Sequence, residues 1–279
     1  METLGHLGQH LLPLARDFFR LCIWLVLLMA IFVPLERIWA LHPQKVFRKA
    51  FLVDLFYYFL SSLLPKLLLI VPMAFAGWLL HYIIPGGLQT RAAALPFGIR
   101  FLAATVVGEV GFYWGHRWSH QIPFLWRFHA VHHSAEEMDW LVNTRAHPVD
   151  MVFTRLCGFI PMYCLGLAQP MAKTVDLAPL LVVLVSTAWG FFVHANLRWR
   201  FGPLEWLVAT PAFHHWHHTY EQPHNKNYSA MLPWMDRVFG TYHMPKAQWP
   251  GRYGIEEPMD SGLAGQLLQP LRSAEVKSS

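Results

Sequence analysis

The sequence predicts an all-α, multi-pass membrane protein with about four to five membrane helices under a helical cap. Three observations carry that reading. Hydrophobic residues fill 54% of the 279 positions and charged residues only 14%, with a mean hydropathy of +0.30, a balance too apolar for a soluble domain of this length. Apolar runs recur whose lengths approach the ~20 residues that cross a ~30 Å hydrocarbon core. At the ends of those runs, the chain is crowded with histidine.

The first apolar run, roughly Arg20 to Leu35, has no small-residue cleavage pattern after it, so it reads as a retained anchor rather than a signal peptide. The second, Phe51 to Ile84, is too long for one straight span, and Pro65 followed by Lys66 predicts a break. Pro96 to Gly115, Met151 to Leu167 and Leu177 to Val193 follow, the last two as a return hairpin; the shorter ones require tilt or re-entry. The connection from Glu36 to Ala50 carries Arg37, Lys45, Arg48 and Lys49, whereas Pro85 to Leu95 has only Arg91 and Ala168 to Asp176 only Lys173. By the positive-inside rule the first connection faces the cytoplasm, and with it the histidines.

Beyond His194 the pattern changes. Residues 196–257 hold Asn196, Arg198, Arg200, Glu205 and Arg237 among many tryptophans with no clean span, as expected of a cytoplasmic cap packed on membrane helices. Residues 1–257 thus read as one membrane-embedded domain and 258–279 as a disordered polar tail. The net charge of +5 could suggest nucleic acid, but the basic residues lie mainly beside apolar spans, where they set topology and meet anionic lipid head groups. No nucleic-acid partner is expected. Cys22, Cys157 and Cys164 sit inside apolar runs without metal-binding spacing, so they are small core residues.

Eleven of the 17 histidines lie between positions 116 and 218. Most form three clusters: His116 with His120, His129 with His132 and His133, and His214, His215, His217 and His218. On a helix, residues three and four apart project about 60° and about 40° from one another, so each cluster can aim two or three nitrogens at one point. The predicted ligands are His116, His120, His129, His132, His133, His147, His194, His214, His217 and His218. His215 is left out because it points about 100° away from His214.

One structural zinc needs about four ligands and more often uses cysteine. So many imidazoles imply two metals. A nitrogen-rich site with open positions suits iron that activates dioxygen, although zinc and copper also accept imidazole. The alternative is a histidine-rich metal carrier or a zinc-stabilised scaffold without oxygen chemistry. A carrier would place its ligands near the bilayer midplane on broken helices, and here they lie at span ends and in the cap.

Glu109 precedes His116 by seven residues on nearly the same helix face. As an ionisable residue in an apolar helix, it is expected either to accept a hydrogen bond from a ligand imidazole or to pair with Arg100 or Arg145. Tyr113, between them, is a second candidate. Asp150, Asp236 and Arg237 read as ion-pair partners in the cap, and Asp54 as structural.

The residues that carry this chemistry also carry a likeness. The stretches EVGFYWGHRWSH (109–120), LWRFHAVHHS (125–134), NTRAHP (143–148), HAN (194–196) and PAFHHWHH (211–218), then Asn227-Tyr228 and WMDRVFGT (234–241), occur in that order. Over about residues 50–245 the chain resembles the fatty acid hydroxylase or sterol desaturase superfamily of integral-membrane, non-haem di-iron oxygenases, in its prokaryotic branch. The resemblance implies two iron ions, dioxygen as co-substrate, and hydroxylation or desaturation of a membrane lipid, sterol or fatty acyl chain. It also implies a separate electron donor, a ferredoxin or b-type cytochrome with its reductase, and a bacterial inner-membrane location with the active site facing the cytoplasm.

Overall fold

The computed structural model describes residues 2–168 and 176–272. It is helical throughout, with two isolated β-bridges among the described residues. α1 (Glu2–Ile38) leads through a loop to α2 (Phe51–Leu68) and α3 (Ile70–Ile83), and the short α4 (Gly86–Ala93) turns the chain into α5 (Phe97–Gln121). α6 (Pro123–His133) follows at once, then α7 (Pro148–Cys164) and α8 (Leu177–His194). Three short helices, α9 (Pro211–His217), α10 (Trp234–Val238) and α11 (Leu263–Leu268), punctuate the C-terminal third.

Among the described residues, three helical stretches are long and apolar enough to cross a membrane: Leu12–Ile38 in α1, Phe51–Ile83 across α2 and α3, and Leu177–His194, which is α8. α5 carries Arg100, Glu109, Arg117 and two histidines along its length, and α7 has only 17 residues. The break expected at Pro65 lies instead at Leu69, whose N–H still reaches the Pro65 carbonyl at 2.9 Å. Proline costs the helix one donor, and the turns on either side are kept. Lys173 falls outside the described residues.

The local starts of the histidine-bearing helices are legible. Pro123, Pro148 and Pro211 stand in the first turns of α6, α7 and α9, where the missing N–H is no loss. The Thr210 hydroxyl caps α9 by accepting from Phe213 N. The Asp139 carboxylate caps the 3₁₀ turn Trp140–Thr144 through Leu141 N and Val142 N.

α5 and α7 pack backbone to backbone. A methyl group added at Gly111 would collide with the Cys157 carbonyl oxygen, and one at Gly115 would lie 2.7 Å from the Cys157 side chain. This contact sets the end of α5, with His116 and His120, beside the start of α7. A second tie is a buried charge cluster: Arg48 Nη2 meets Asp54 at 2.6 Å and Arg48 Nε meets Asp139 at 2.7 Å, while Arg145 Nε takes the other Asp54 oxygen. It joins the α1–α2 loop, α2 and the segment after α6.

The C-terminus departs from expectation. Residues 258–272 are not a disordered tail: α11 and the turn Gln269–Leu271 pack back on the body, with Gln266 buried. His147 donates its Nε2–H to the Leu267 carbonyl at 3.1 Å, which gives this segment an internal partner. Residues 273–279 lie outside the described set.

The α5–α7 contact generates a test. Gly111→Ala should cost about 1–3 kcal/mol through overpacking, lowering the thermal midpoint and the bound metal of the purified protein together. Gly98→Ala, with nothing within 4 Å of the new methyl group, should match wild type in both.

Candidate metal centre

Among the described residues, nine imidazoles converge in two adjoining groups. His116, His120, His129, His133 and His217 form one, and His132, His194, His214 and His218 the other; within each group the potential ligand atoms lie within 4.8 Å of one another. The groups touch where His133 stacks on His218 at 4.3 Å and where His132 meets His218 at 4.6 Å, centroid to centroid. Five chain segments supply these side chains: the end of α5, α6, the end of α8, α9 and the residue after it.

The nitrogens turned away from the centre decide its chemistry. His116 Nδ1 lies 2.7 Å from the Tyr228 carbonyl, His132 Nδ1 2.9 Å from that of Arg145, His194 Nδ1 2.7 Å from that of Gly190, and His217 Nδ1 2.8 Å from that of Lys226. His129 Nδ1 faces Asp150 Oδ2 at 3.0 Å. A carbonyl or carboxylate can only accept, so each of these Nδ1 atoms carries the proton, and in a neutral ring the Nε2 is then a bare lone pair.

Those lone pairs point at one another. His116 Nε2 and His129 Nε2 are 3.1 Å apart, and His132 Nε2 and His194 Nε2 are 3.2 Å apart. Neither pair has a proton to share. The Nε2 atoms of His120, His133 and His217 are buried with no hydrogen-bond partner. Facing lone pairs and orphaned nitrogens are what a cation resolves, so the residues fit a bound metal in each group.

Burial also favours the neutral form of several rings. It pushes His132 down to about 4 and holds His133, His214, His217 and His218 well below the usual imidazole range, with the neighbouring imidazoles adding to the effect. The neutral ring is the ligating form. With all-nitrogen donors and no thiolate, the groups suit iron, copper or zinc rather than a hard cation.

Not every sequence candidate reaches the centre. His147 lies outside both groups: its Nδ1 accepts from Val149 N at 3.2 Å as the cap of α7, and its Nε2 is taken by Leu267. A histidine directly before a helix-opening proline is a cap position, which its neighbours in sequence concealed. His215 is turned away and clamps the C-terminal segment, with Nδ1 at 2.7 Å from the Tyr253 hydroxyl and Nε2 at 3.1 Å from the Ala195 carbonyl.

Glu109 touches no imidazole and pairs with neither arginine considered for it. Its Oε1 accepts from Met231 N at 2.6 Å and Leu232 N at 3.0 Å; Arg100 pairs with Asp176 and Arg145 with Asp54. The Tyr113 hydroxyl lies 2.8 Å from Thr241 Oγ1. Both side chains therefore hold the 228–241 segment, whose Tyr228 carbonyl receives His116.

Asp150 is the residue that sequence reasoning undervalued. An acid in the first turn of a helix is ordinary, so nothing in its spacing set it apart. In the fold it accepts from His129 and, through Oδ1, from the Ser119 hydroxyl at 3.2 Å, the carboxylate–histidine arrangement that orients metal ligands. Among the described residues Asp236 forms no ion pair; it accepts from Tyr228 N and Ser229 N.

The fatty acid hydroxylase family profile matches residues 101–241, just over half of the chain and all of both groups. The chain belongs to the fatty acid hydroxylase family. It is 35% identical to the ornithine lipid hydroxylase OlsE of Rhizobium tropici over 177 residues, which are 63% of this chain and 51% of that protein. It is 28% identical to alkylglycerol monooxygenase of Xenopus tropicalis over 155 residues, 55% of this chain and 32% of that one. Methylsterol monooxygenase 2-2 of Arabidopsis thaliana is 30% identical over 138 residues, 49% of each chain. The chain thus spans about half or less of the length of these relatives. No solved structure matches it. Family membership and three helices of spanning length make it a membrane protein.

Two substitution sets test the geometry. His133→Ala or His214→Ala should lower bound metal measured by elemental analysis, while His147→Ala and His215→Ala should retain it and lose only thermal stability. Asp150→Asn should keep the fold but weaken metal retention by roughly 10–100-fold, as removal of a ligand-orienting carboxylate does; wild-type retention under chelator challenge would remove Asp150 from the centre.

Proposed function

We propose that this protein is a di-iron monooxygenase that hydroxylates a C–H bond of a membrane lipid, with dioxygen as co-substrate. The observation that carries the reading is the pair of adjoining imidazole groups, five and four, with their lone pairs converging. The relatives named for hydroxylase or monooxygenase activity favour a redox-active metal, and zinc has no redox chemistry. Bound iron would supply the activation of dioxygen that no side chain can.

The chain's own residues do the rest. Carbonyls of Tyr228, Arg145, Gly190 and Lys226, with Asp150, hold five rings in one tautomer, so the donors are positioned before any ion arrives. The burial of the ligands keeps bulk water from the centre. Oxidation of a lipid needs reducing equivalents, which we assign to a separate protein, a ferredoxin or b-type cytochrome with its reductase.

Orientation follows from a contact. His42 N donates to Asn196 Oδ1 at 3.0 Å and Asn196 Nδ2 returns a bond to the His42 carbonyl at 2.7 Å, so the basic α1–α2 connection lies at the same end of the molecule as His194. The positive-inside rule then favours a cytoplasmic centre, in a bacterial inner membrane. Substrates of the same broad class as those of the relatives, lipids or sterols with a long unactivated hydrocarbon portion, suit an apolar approach from the bilayer.

The test is anaerobic iron loading of the purified protein, followed by oxygen uptake and lipid analysis of cells with and without the gene. About two irons per chain and a lipid heavier by one oxygen atom are expected. Tight zinc with no oxygen consumption would overturn the reading in favour of a scaffold, and a product lighter by two hydrogens would replace hydroxylation with desaturation.

A further inference from the structure

Away from the histidines, the cap holds a cavity of about 650 Å³ lined by Arg200, Glu205, Trp206, Arg237, Tyr242 and Lys246. We propose that it binds the anionic headgroup, a phosphate or carboxylate, of a membrane lipid. This goes beyond the oxygenase reading and does not depend on it.

The charges are arranged for an anion. The acids at the cavity are already satisfied within the chain: Glu205 Oε1 accepts from Phe201 N at 2.9 Å, and Asp236 from Tyr228 N at 2.7 Å and Ser229 N at 2.9 Å. Among the described residues, Arg200, Arg237 and Lys246 form no ion pair. Arg237 lies between two rings, 3.8 Å from the Trp206 centroid and 3.6 Å from that of Tyr242. That stacking fixes the plane of its fork in advance. Arg237 Nη1 and Arg200 Nε are both buried without an acceptor, so each guanidinium keeps a donor that no group of the chain has taken.

Depth in the membrane selects a lipid over a soluble partner. Trp189 Nε1 donates to the Ala209 carbonyl at 3.0 Å, and Trp189 stands five residues before the end of the span Leu177–His194, roughly 7.5 Å along the helix. Ala209, three residues after the lining residue Trp206, therefore lies level with the last turns of a spanning helix. The lining residue Trp206 and its chain neighbours Leu204 and Leu207 are each 57–61% exposed. Exposed Leu and Trp at that level match the headgroup–acyl boundary, and an acidic electron donor approaching through water would have no use for them.

The cavity is joined to the centre through intervening residues. The Tyr242 ring lies 5.9 Å from that of Phe213, the residue before His214, and Asp236 holds the N–H of Tyr228, whose carbonyl receives His116. A headgroup seated here is connected through Phe213 and Tyr228 to both groups of imidazoles.

Native mass spectrometry of the full-length, metal-replete protein in detergent tests this with dihexanoyl-phosphatidylglycerol, dihexanoylglycerol and inorganic phosphate as probes. Iron content is measured on the same samples, so loss of the metal centre and loss of the headgroup site are read separately. The anionic lipid should bind saturably, and the other two at least tenfold more weakly. Arg237→Gln and the exposed Lys246→Gln should each weaken it about tenfold, the effect of one charge-assisted hydrogen bond, with iron content unchanged. Wild-type affinity in both variants would overturn the site, and phosphate binding as tightly as the lipid would make it a free-anion site instead. Loss of ferredoxin binding in the same variants, with lipid binding intact, would make it a protein-docking face.

Discussion

Two pairs of imidazole lone pairs in this protein face each other across 3.1–3.2 Å with no proton to place between them. The other features of the fold either create that situation or restrain it. Left to itself, an imidazole rotates until each nitrogen finds a complement. Here rotation is blocked from behind, because Nδ1 of five rings is held by Tyr228, Arg145, Gly190, Lys226 or Asp150. The bonds around the centre thus hold its donors facing one another, in the arrangement that a bound cation takes up.

The partners behind the rings are themselves held, and this explains polar groups that would otherwise be expensive to bury. Tyr228 sits in a segment fixed by Asp236 through two backbone N–H groups and by Glu109 through Met231 and Leu232. Arg145, whose carbonyl receives His132, is locked by its side chain to Asp54, which shares Arg48 with Asp139. Buried ion pairs contribute little net stability, but breaking one by removing a partner costs about 3–5 kcal/mol. A cluster of this kind is better understood as fixing the Arg145 backbone than as a source of stability.

Much of this was legible in the sequence, and the parts that were not share a cause. The long apolar runs, the histidine clusters and the exclusion of His215 follow from composition and from the angular spacing of a helix, both properties of neighbours in the chain. His147 and Glu109 were misplaced because their partners, Leu267, Met231 and Leu232, come from 120 or more residues away. Asp150 was undervalued for the same reason, since its histidine arrives from a different helix. Residues 258–279 read as a tail in sequence because they are small, polar and unpatterned; the order of 258–272 comes from packing on α2 and from the bond to His147. The continuation of α2 past Pro65 shows the same limit. Proline removes one donor, but in a helix flanked by apolar surroundings the remaining bonds have no better partner in lipid.

The two groups of imidazoles are unequal before any ion binds. In the five-membered group one ring, His129, leans on a carboxylate, and that carboxylate is kept in place by the Ser119 hydroxyl from the preceding helix. In the four-membered group the rings with a partner behind them, His132 and His194, lean on carbonyl dipoles. A full negative charge raises the basicity of the imidazole it faces more than a dipole does, and in an interior of low dielectric the difference is large. Asp150 bonds to His129 of the first group and, among the described residues, to no ring of the second. The asymmetry therefore enters at one side chain, on the first turn of α7, where the glycine-lined contact with α5 brings Asp150 to the histidines. A fold whose helices approached less closely would keep all nine imidazoles and lose the charge that distinguishes one group from the other.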